Sequence, residues 1–251
     1  MTFKIKTLFV SAALMLTLLP GRAELAQRDI PVVSPSDYTA NISLAKEGNP
    51  EAARIVGDCL LTGTGVKRDV NQAWKWYVQA AGKRDTEARY RIAVLYRDGY
   101  GVKQNDVEAA YWFGRAANNG HPLALLNLAD FYYNGRGLIG DKRIAAENYW
   151  RAADRGVAEA AYKLALMLRD GIGMPQDKSM ALKYFRQAAD ANYADAALLA
   201  EFLVQQGVRM PGKAVHAKNP QAKKAPAKKK ATSAPRPGSK SKSKSKSKKR
   251  R

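Results

Sequence analysis

The stretch AVLYRDGYGVKQNDVEAAYWFGRAANNG, residues 93–120, decides how the chain is read. Its Gly99-Tyr100-Gly101 tripeptide recurs as Gly63-Thr64-Gly65, Gly135-Arg136-Gly137 and Gly171-Ile172-Gly173, at steps of 36 residues. Other columns keep that step. Ala52, Ala88, Ala124, Ala160 and Ala196 form one, and Ala73, Ala109, Ala145 and Ala181 another. Ala80-Ala81, Ala116-Ala117, Ala152-Ala153 and Ala188-Ala189 form a double one. A fixed period of this length means stacked supersecondary units, each too small to bury its apolar face alone.

Within one unit, Ala88, Ile92, Leu95 and Tyr96 follow the i, i+4, i+7, i+8 spacing of an amphipathic helix, here termed helix A. The first glycine of each tripeptide stands where helix A must end, because glycine enters the left-handed region without a Cβ clash. Helix B follows Asp69, Asn105, Asp141 or Asp177, side chains that accept from the free N–H groups of a first turn. Gln72 and Glu108, three residues on, resemble capping-box partners. Helix B carries Trp76-Tyr77, Trp112-Phe113, Asn148-Tyr149 and Tyr184-Phe185 at a packing position, and its paired alanines let neighbouring helices approach closely. Asn49-Pro50, Asp85 and His121-Pro122 open helix A by the same cap-and-proline logic. The expected fold class is all-α: an α-solenoid of about four 36-residue helix-turn-helix repeats over residues 36–207. Residues 36–48 read as a lone helix B capping one end, and 194–207 as a half-repeat capping the other.

Charge is segregated. The chain holds 43 Lys/Arg against 22 Asp/Glu, a net +21, yet residues 208–251 carry 17 of the basic residues and no acid. Residues 24–207 hold 23 basic and 22 acidic residues, so the solenoid itself is near neutral. The first 23 residues place Lys4 and Lys6 before the apolar stretch Leu8–Leu19, with Gly21 and Ala23 as small residues at the end. That pattern predicts a signal peptide cleaved after Ala23 and a periplasmic or secreted location. The apolar stretch is too short for a membrane span, which takes about 20 residues. A linker is expected over 24–35, and Cys59, the single cysteine, excludes an intramolecular disulfide. From Val208 onward too few apolar side chains remain to offset the entropy of ordering, so a disordered tail is expected.

These columns resemble the Sel-one-like repeat, a tetratricopeptide-like helical repeat, and residues 93–120 and 164–192 follow its pattern closely. Arg84 replaces a customary closing glycine and Asn148 a customary aromatic. The resemblance implies an exported bacterial member whose A helices line a concave surface that binds a protein partner. On that surface the expected contact residues are Arg91, Val94, Asp98, Asn127, Asp130, Asn134, Lys163, Leu166 and Asp170. Some cysteine-rich secreted members are linked to β-lactam binding, but their paired cysteines are missing here.

No catalytic constellation is visible, and no enzyme, cofactor or metal is implied. The Gly-x-Gly loops lack the Gly-Lys-Ser/Thr of a phosphate-binding loop. His121 and His216 have neither metal-ligand spacing nor an identifiable nucleophile. Glu51, Glu87, Glu159 and Asp195 share a first-turn column and suit the positive end of the helix dipole. Cys59 shares a column with Leu95, Phe131 and Met167, as a buried thiol would. In the tail, Lys240, Lys242, Lys244, Lys246, Lys248, Lys249, Arg250 and Arg251 form an arm for an anionic surface or polymer, bound through counterion release. Nucleic acid is the alternative polyanion, and without stacking aromatics or base-reading elements such binding has no sequence specificity. A cell-wall or β-lactam-related enzyme is the remaining alternative.

Overall fold

A computed structural model of the chain describes residues 31–193 and 195–212. Among these residues there are ten α-helices and no strand. They are α1 (Asp37–Lys46), α2 (Pro50–Thr62), α3 (Val70–Gly82), α4 (Thr86–Asp98) and α5 (Asp106–Asn118), followed by α6 (Pro122–Asn134), α7 (Lys142–Ala153), α8 (Ala158–Asp170), α9 (Lys178–Asp190) and α10 (Ala196–Gln205). Helices α2, α4, α6 and α8 are the A helices of four repeats, and α3, α5, α7 and α9 are their B partners. Each A helix packs on its own B helix, and each B helix also packs on the A helix that follows. The lone helices α1 and α10 stand at the two ends, as a helix B and a helix A respectively. The all-α solenoid is therefore what the repeats form.

The chain divides into two units, residues 1–211 and 212–251, and the described residues belong to the first apart from Gly212. The expected signal peptide, residues 1–23, lies outside the described residues, as do 24–30 of the linker and 213–251 of the tail. Of what was expected to be linker, Pro31 is buried and the Pro35 carbonyl lies against Gly65. Past α10, Val208 packs against the core.

Side chains set the helix starts. Asn49 accepts from the Ala52 N–H at 3.0 Å, and Asp85 from the Ala88 N–H at 2.6 Å. His121 does the same through Nδ1, at 3.1 Å from the Ala124 nitrogen. Asp69, Asn105, Asp141 and Asp177 cap α3, α5, α7 and α9. The Gln72 amide donates to the Asp69 carboxylate at 2.9 Å, so this box closes side chain to side chain instead of reaching the cap backbone. Where the A-helix cap column holds Val157, α8 begins without a side-chain cap.

The first glycine of each tripeptide ends an A helix in the left-handed region, with φ between 66° and 79°. The second glycine has a different task. A Cβ at Gly137 would stand 2.2 Å from the Asp106 carbonyl oxygen, and one at Gly173 2.5 Å from the Lys142 backbone. At Gly101 it would stand 2.4 Å from Val70 Cγ1. Asp106, Lys142 and Val70 each open the B helix of the preceding repeat. The second glycine therefore lets each loop press on its neighbour's first turn. Between repeats, Gly48, Gly120 and Gly156 take positive φ, and Arg84 holds the same region at 72° without being glycine.

The alanine columns lie between helices at or near zero exposure. Tyr77, Phe113, Tyr149 and Phe185 are at most 2% exposed, so the aromatic column is core. Two apolar clusters, one around α2–α4 and one from α4 to α10, share Tyr96 and Trp112 as half-buried neighbours.

Gly137→Ala is expected to destabilise the chain by about 2–4 kcal/mol, because the clashing atoms are backbone and φ is positive. Gly114→Ala, in the interior of α5 with open space around it, is expected to stabilise by about 0.5–1 kcal/mol. Urea unfolding of the two variants checks both signs.

Candidate functional site

The A helices lie side by side, and polar side chains bridge the seams between them. This alters the expected contact surface. Val94 is 2% exposed and belongs to the core, and Arg91 and Asn127 are also buried. These three do not face outward as expected, because their columns point at the neighbouring A helix. Asp98, Asp130, Lys163 and Leu166 are half-buried, and Asn134 and Asp170 are exposed. The open part of the face is thus the last turn of each A helix. Lys240, Lys242, Lys244, Lys246, Lys248, Lys249, Arg250 and Arg251 lie outside the described residues.

Two seams are strongly polar. In the first, Asp58 is 2% exposed. Its Oδ1 accepts the Tyr77 hydroxyl at 2.8 Å and lies 3.5 Å from Arg91 Nε, while Oδ2 lies 3.2 Å from Arg54 Nη1. Arg91 also meets Glu87 at 3.0 Å. The second seam repeats the arrangement two units later. Asp130 Oδ1 accepts the Tyr149 hydroxyl at 2.5 Å and the Lys163 ammonium at 2.6 Å, and Lys163 reaches Glu159 at 2.8 Å. The seam between them is bridged differently, by Arg97 Nη1 donating to Asn127 Oδ1 at 2.7 Å.

The alternation was present in the sequence as a second period. Asp58 with Tyr77 and Asp130 with Tyr149 alternate with Val94 and Phe113 and with Leu166 and Phe185. A tyrosine stands opposite each aspartate, and a phenylalanine occupies the same column when the partner is aliphatic. A buried phenol hydroxyl requires an acceptor, so the two columns vary together. Reading columns singly hides the pairing.

Burial lifts the Asp58 carboxyl above the ordinary range, against the opposing pull of Arg91, the Tyr77 hydrogen bond and Arg54. Burial and the Asp58 charge likewise hold the Tyr77 hydroxyl protonated. At Glu87 burial pushes upward, but the His121 hydrogen bond and Arg91 outweigh it and hold the carboxyl low. A lowered carboxyl stabilises the fold above its unfolded pKa, and this contribution is lost as pH falls through the folded value. Burial would lower Lys163, yet Asp130 and Glu159 raise it, so its contribution is present below the ordinary lysine pKa and disappears only at more alkaline pH.

The remaining candidates have structural roles. His121 caps α6 through Nδ1, bonds Glu87 Oε2 through Nε2 at 2.9 Å and stacks on Tyr90. With Nδ1 accepting, the hydrogen-bond pattern assigns the proton to Nε2. His216 lies outside the described residues. Burial pushes the Cys59 thiol up to about 11, with Asp37 and Asp58 adding to the effect. The first-turn carboxylates do more than face the helix dipole: Glu51, Glu87 and Glu159 each pair with a cation one turn on. Among the described residues, no group of His, Cys, Asp and Glu is placed to hold a metal ion, and no helix is long and apolar enough to cross a membrane.

Two-helix units stacked through close loops, with polar seams along the A helices, define the class of tetratricopeptide-like α-solenoids. The Sel1 repeat matches at residues 50–85, 86–121, 122–157 and 158–193, which coincide with the four repeats, and the chain belongs to the Sel1 repeat family. Among solved structures it is similar to a protective antigen present in uropathogenic Escherichia coli strains displaying an SLR fold, with 27% identity and a TM-score of 0.66 over 72% of this chain and 39% of that one. It is also similar to a Sel1 repeat protein from Oxalobacter formigenes, with 30% identity and a TM-score of 0.63 over 70% of this chain and 50% of that one. The chain thus spans half or less of the length of these two relatives. Comparison with curated proteins gives no match. Sel1 repeat proteins are generally protein–protein interaction scaffolds.

Tyr77→Phe leaves a buried carboxylate short of a donor and is expected to cost about 1–3 kcal/mol. Tyr149→Phe is expected to cost less, about 0.5–1 kcal/mol, because the Asp130 side chain is 26% exposed and water replaces the lost donor. Thermal unfolding of the two variants side by side tests the order.

Proposed function

We propose that the chain is an exported, non-enzymatic scaffold whose A-helix face holds a protein partner while its basic tail tethers it to an anionic surface or polymer. The observation that carries the partner reading is the A-helix face itself. Its seams are closed by internal ion pairs, but the half-buried Asp130, Lys163 and Leu166 and the exposed Asn134 and Asp170 remain reachable between α6 and α8. Rigid helices hold these groups, so a partner meets a surface that is already organised. Export is supported by the charged, apolar and small-residue succession of residues 1–23. Tethering is supported by the concentration of basic charge in residues 208–251 beside a near-neutral solenoid.

Cross-linking the full chain in the native envelope, followed by mass spectrometry, tests partner and export together. The expected result is a mature N-terminus at Glu24 and cross-links from the last turns of α6 and α8. Cross-links confined to the B helices sink the partner reading, and a retained Met1 in the bulk of the protein sinks export by cleavage.

For the tail, a variant with Lys240, Lys242, Lys244, Lys246, Lys248 and Lys249 changed to Gln is compared with the parent on envelope fractions across a salt series. Release of the variant at lower salt is expected, because fewer counterions are displaced on binding. Equal release removes the tether. Nucleic-acid binding, which the lysine-rich tail also suits, instead predicts that the parent retards DNA at near-physiological salt and is recovered with it from cells.

A further inference from the structure

Between the last turns of α6 and α8 lies an open cavity of about 360 Å³. Leu166, Met167 and Ile172 form its apolar side, and Asp130, Asn134 and Asp170 are among its polar groups. Both contacts to the Asp130 carboxylate, from Tyr149 and Lys163, fall on Oδ1. Among the described residues no hydrogen bond or ion pair reaches its Oδ2. Asn134 donates its side-chain N–H to the Asp130 carbonyl at 2.9 Å, leaving its own Oδ1 as an acceptor.

The first repeat pair shows what this seam lacks. There, the carboxylates Asp58, Glu87 and Asp98 stand with three cations, Arg54, Arg91 and Arg97. Seventy-two residues on, the same columns hold Asp130, Glu159 and Asp170 but only two cations, Lys163 and Arg169, because Leu126 replaces the column of Arg54. Arg54 is the residue whose guanidinium occupies Asp58 Oδ2. The seam that lost this cation has the unoccupied carboxylate oxygen, and the cavity lies beside it. Lys163 is also shorter than Arg91 at the equivalent position and leaves more of the seam open.

We propose that this cavity is the binding site for one lysine or arginine side chain, presented by a basic segment of the protein partner. The proposal rests on the reading of the A-helix face as the partner surface. Asp130 Oδ2 and Asn134 Oδ1 accept from the incoming ammonium or guanidinium, and the side chain's methylenes lie along Leu166, Met167 and Ile172. The incoming charge restores the balance of three carboxylates and three cations that the first seam holds internally. The carboxylate of Asp130 is already oriented by Tyr149 and Lys163, so it need not be immobilised on binding.

The test is an NMR titration of the full chain with Nα-acetyl-arginine amide, and separately with Nα-acetyl-norleucine amide, at low and moderate salt. The arginine compound is expected to shift the backbone amides of Asn134, Leu166 and Ile172, less so as salt rises, and the norleucine compound is expected to leave them in place. Asp130→Asn and Asn134→Lys are each expected to weaken the response at least about fivefold, the first by removing the acceptor charge and the second by supplying a competing cation. Asn134 is exposed, so its variant keeps the fold even if Asp130→Asn does not. Equal shifts with both compounds, no shift at these amides, or an unchanged response in Asn134→Lys overturns the site. If the arginine response holds while the cross-linked partner maps elsewhere, the partner reading fails and the cavity's chemistry stands.

Discussion

The rest of the structure depends on how closely one repeat's loop approaches the next repeat's neighbour. A Cβ on the second glycine of each tripeptide would meet Pro35, Val70, Asp106 or Lys142, in each case at 2.5 Å or less. These contacts lock the end of each A helix onto the segment before or at the start of the preceding helix B. They fix the distance between successive A helices, and with it the reach of every side chain that crosses a seam. A loop relaxed outward by even one methyl group would separate Arg91 from Asp58 and Lys163 from Asp130.

At that fixed spacing the seams become either apolar or ionic. Where Phe113 meets the column of Val94, packing closes the seam without charge. Where Tyr77 and Tyr149 bring a hydroxyl, an aspartate must receive it, and a cation from the next A helix must neutralise the aspartate. Buried ion pairs of this kind are costly to desolvate and are weak evidence of stability. Their consequence here is geometric: they hold carboxylates in set orientations along a surface. One of these carboxylates, Asp130, keeps an oxygen facing open space, and that difference separates a closed seam from a binding surface.

Much of the fold was legible because its signals are local. The Gly-x-Gly spacing, the Asp and Asn caps and the alanine columns each report on a turn or a helix face, and each recurs at the same step. The core role of Tyr77, Phe113, Tyr149 and Phe185 followed from helical spacing alone. Of the candidate face, Asp130, Asn134, Lys163, Leu166 and Asp170 were placed on a surface that is reachable, but Arg91, Val94 and Asn127 were not. Periodicity places a residue on a face of its own helix and says nothing about what stands opposite, and here the opposite wall is another A helix.

The sequence by itself determined the number of repeats, the ends of the helices and the segregation of basic charge into the tail, because capping, glycine conformation and hydrophobic period act within a few residues. The tertiary structure alone decided which charges neutralise one another. Arg54, Arg91 and Lys163 lie on different helices from some of the carboxylates they meet, and only stacking brings those helices to ion-pair distance. It also decided why two glycines are needed in each loop, since the second answers to a neighbouring repeat and not to its own helix. The unoccupied oxygen of Asp130 belongs to the same level, for it arises from a cation absent at Leu126 and becomes apparent only when equivalent seams are compared in space.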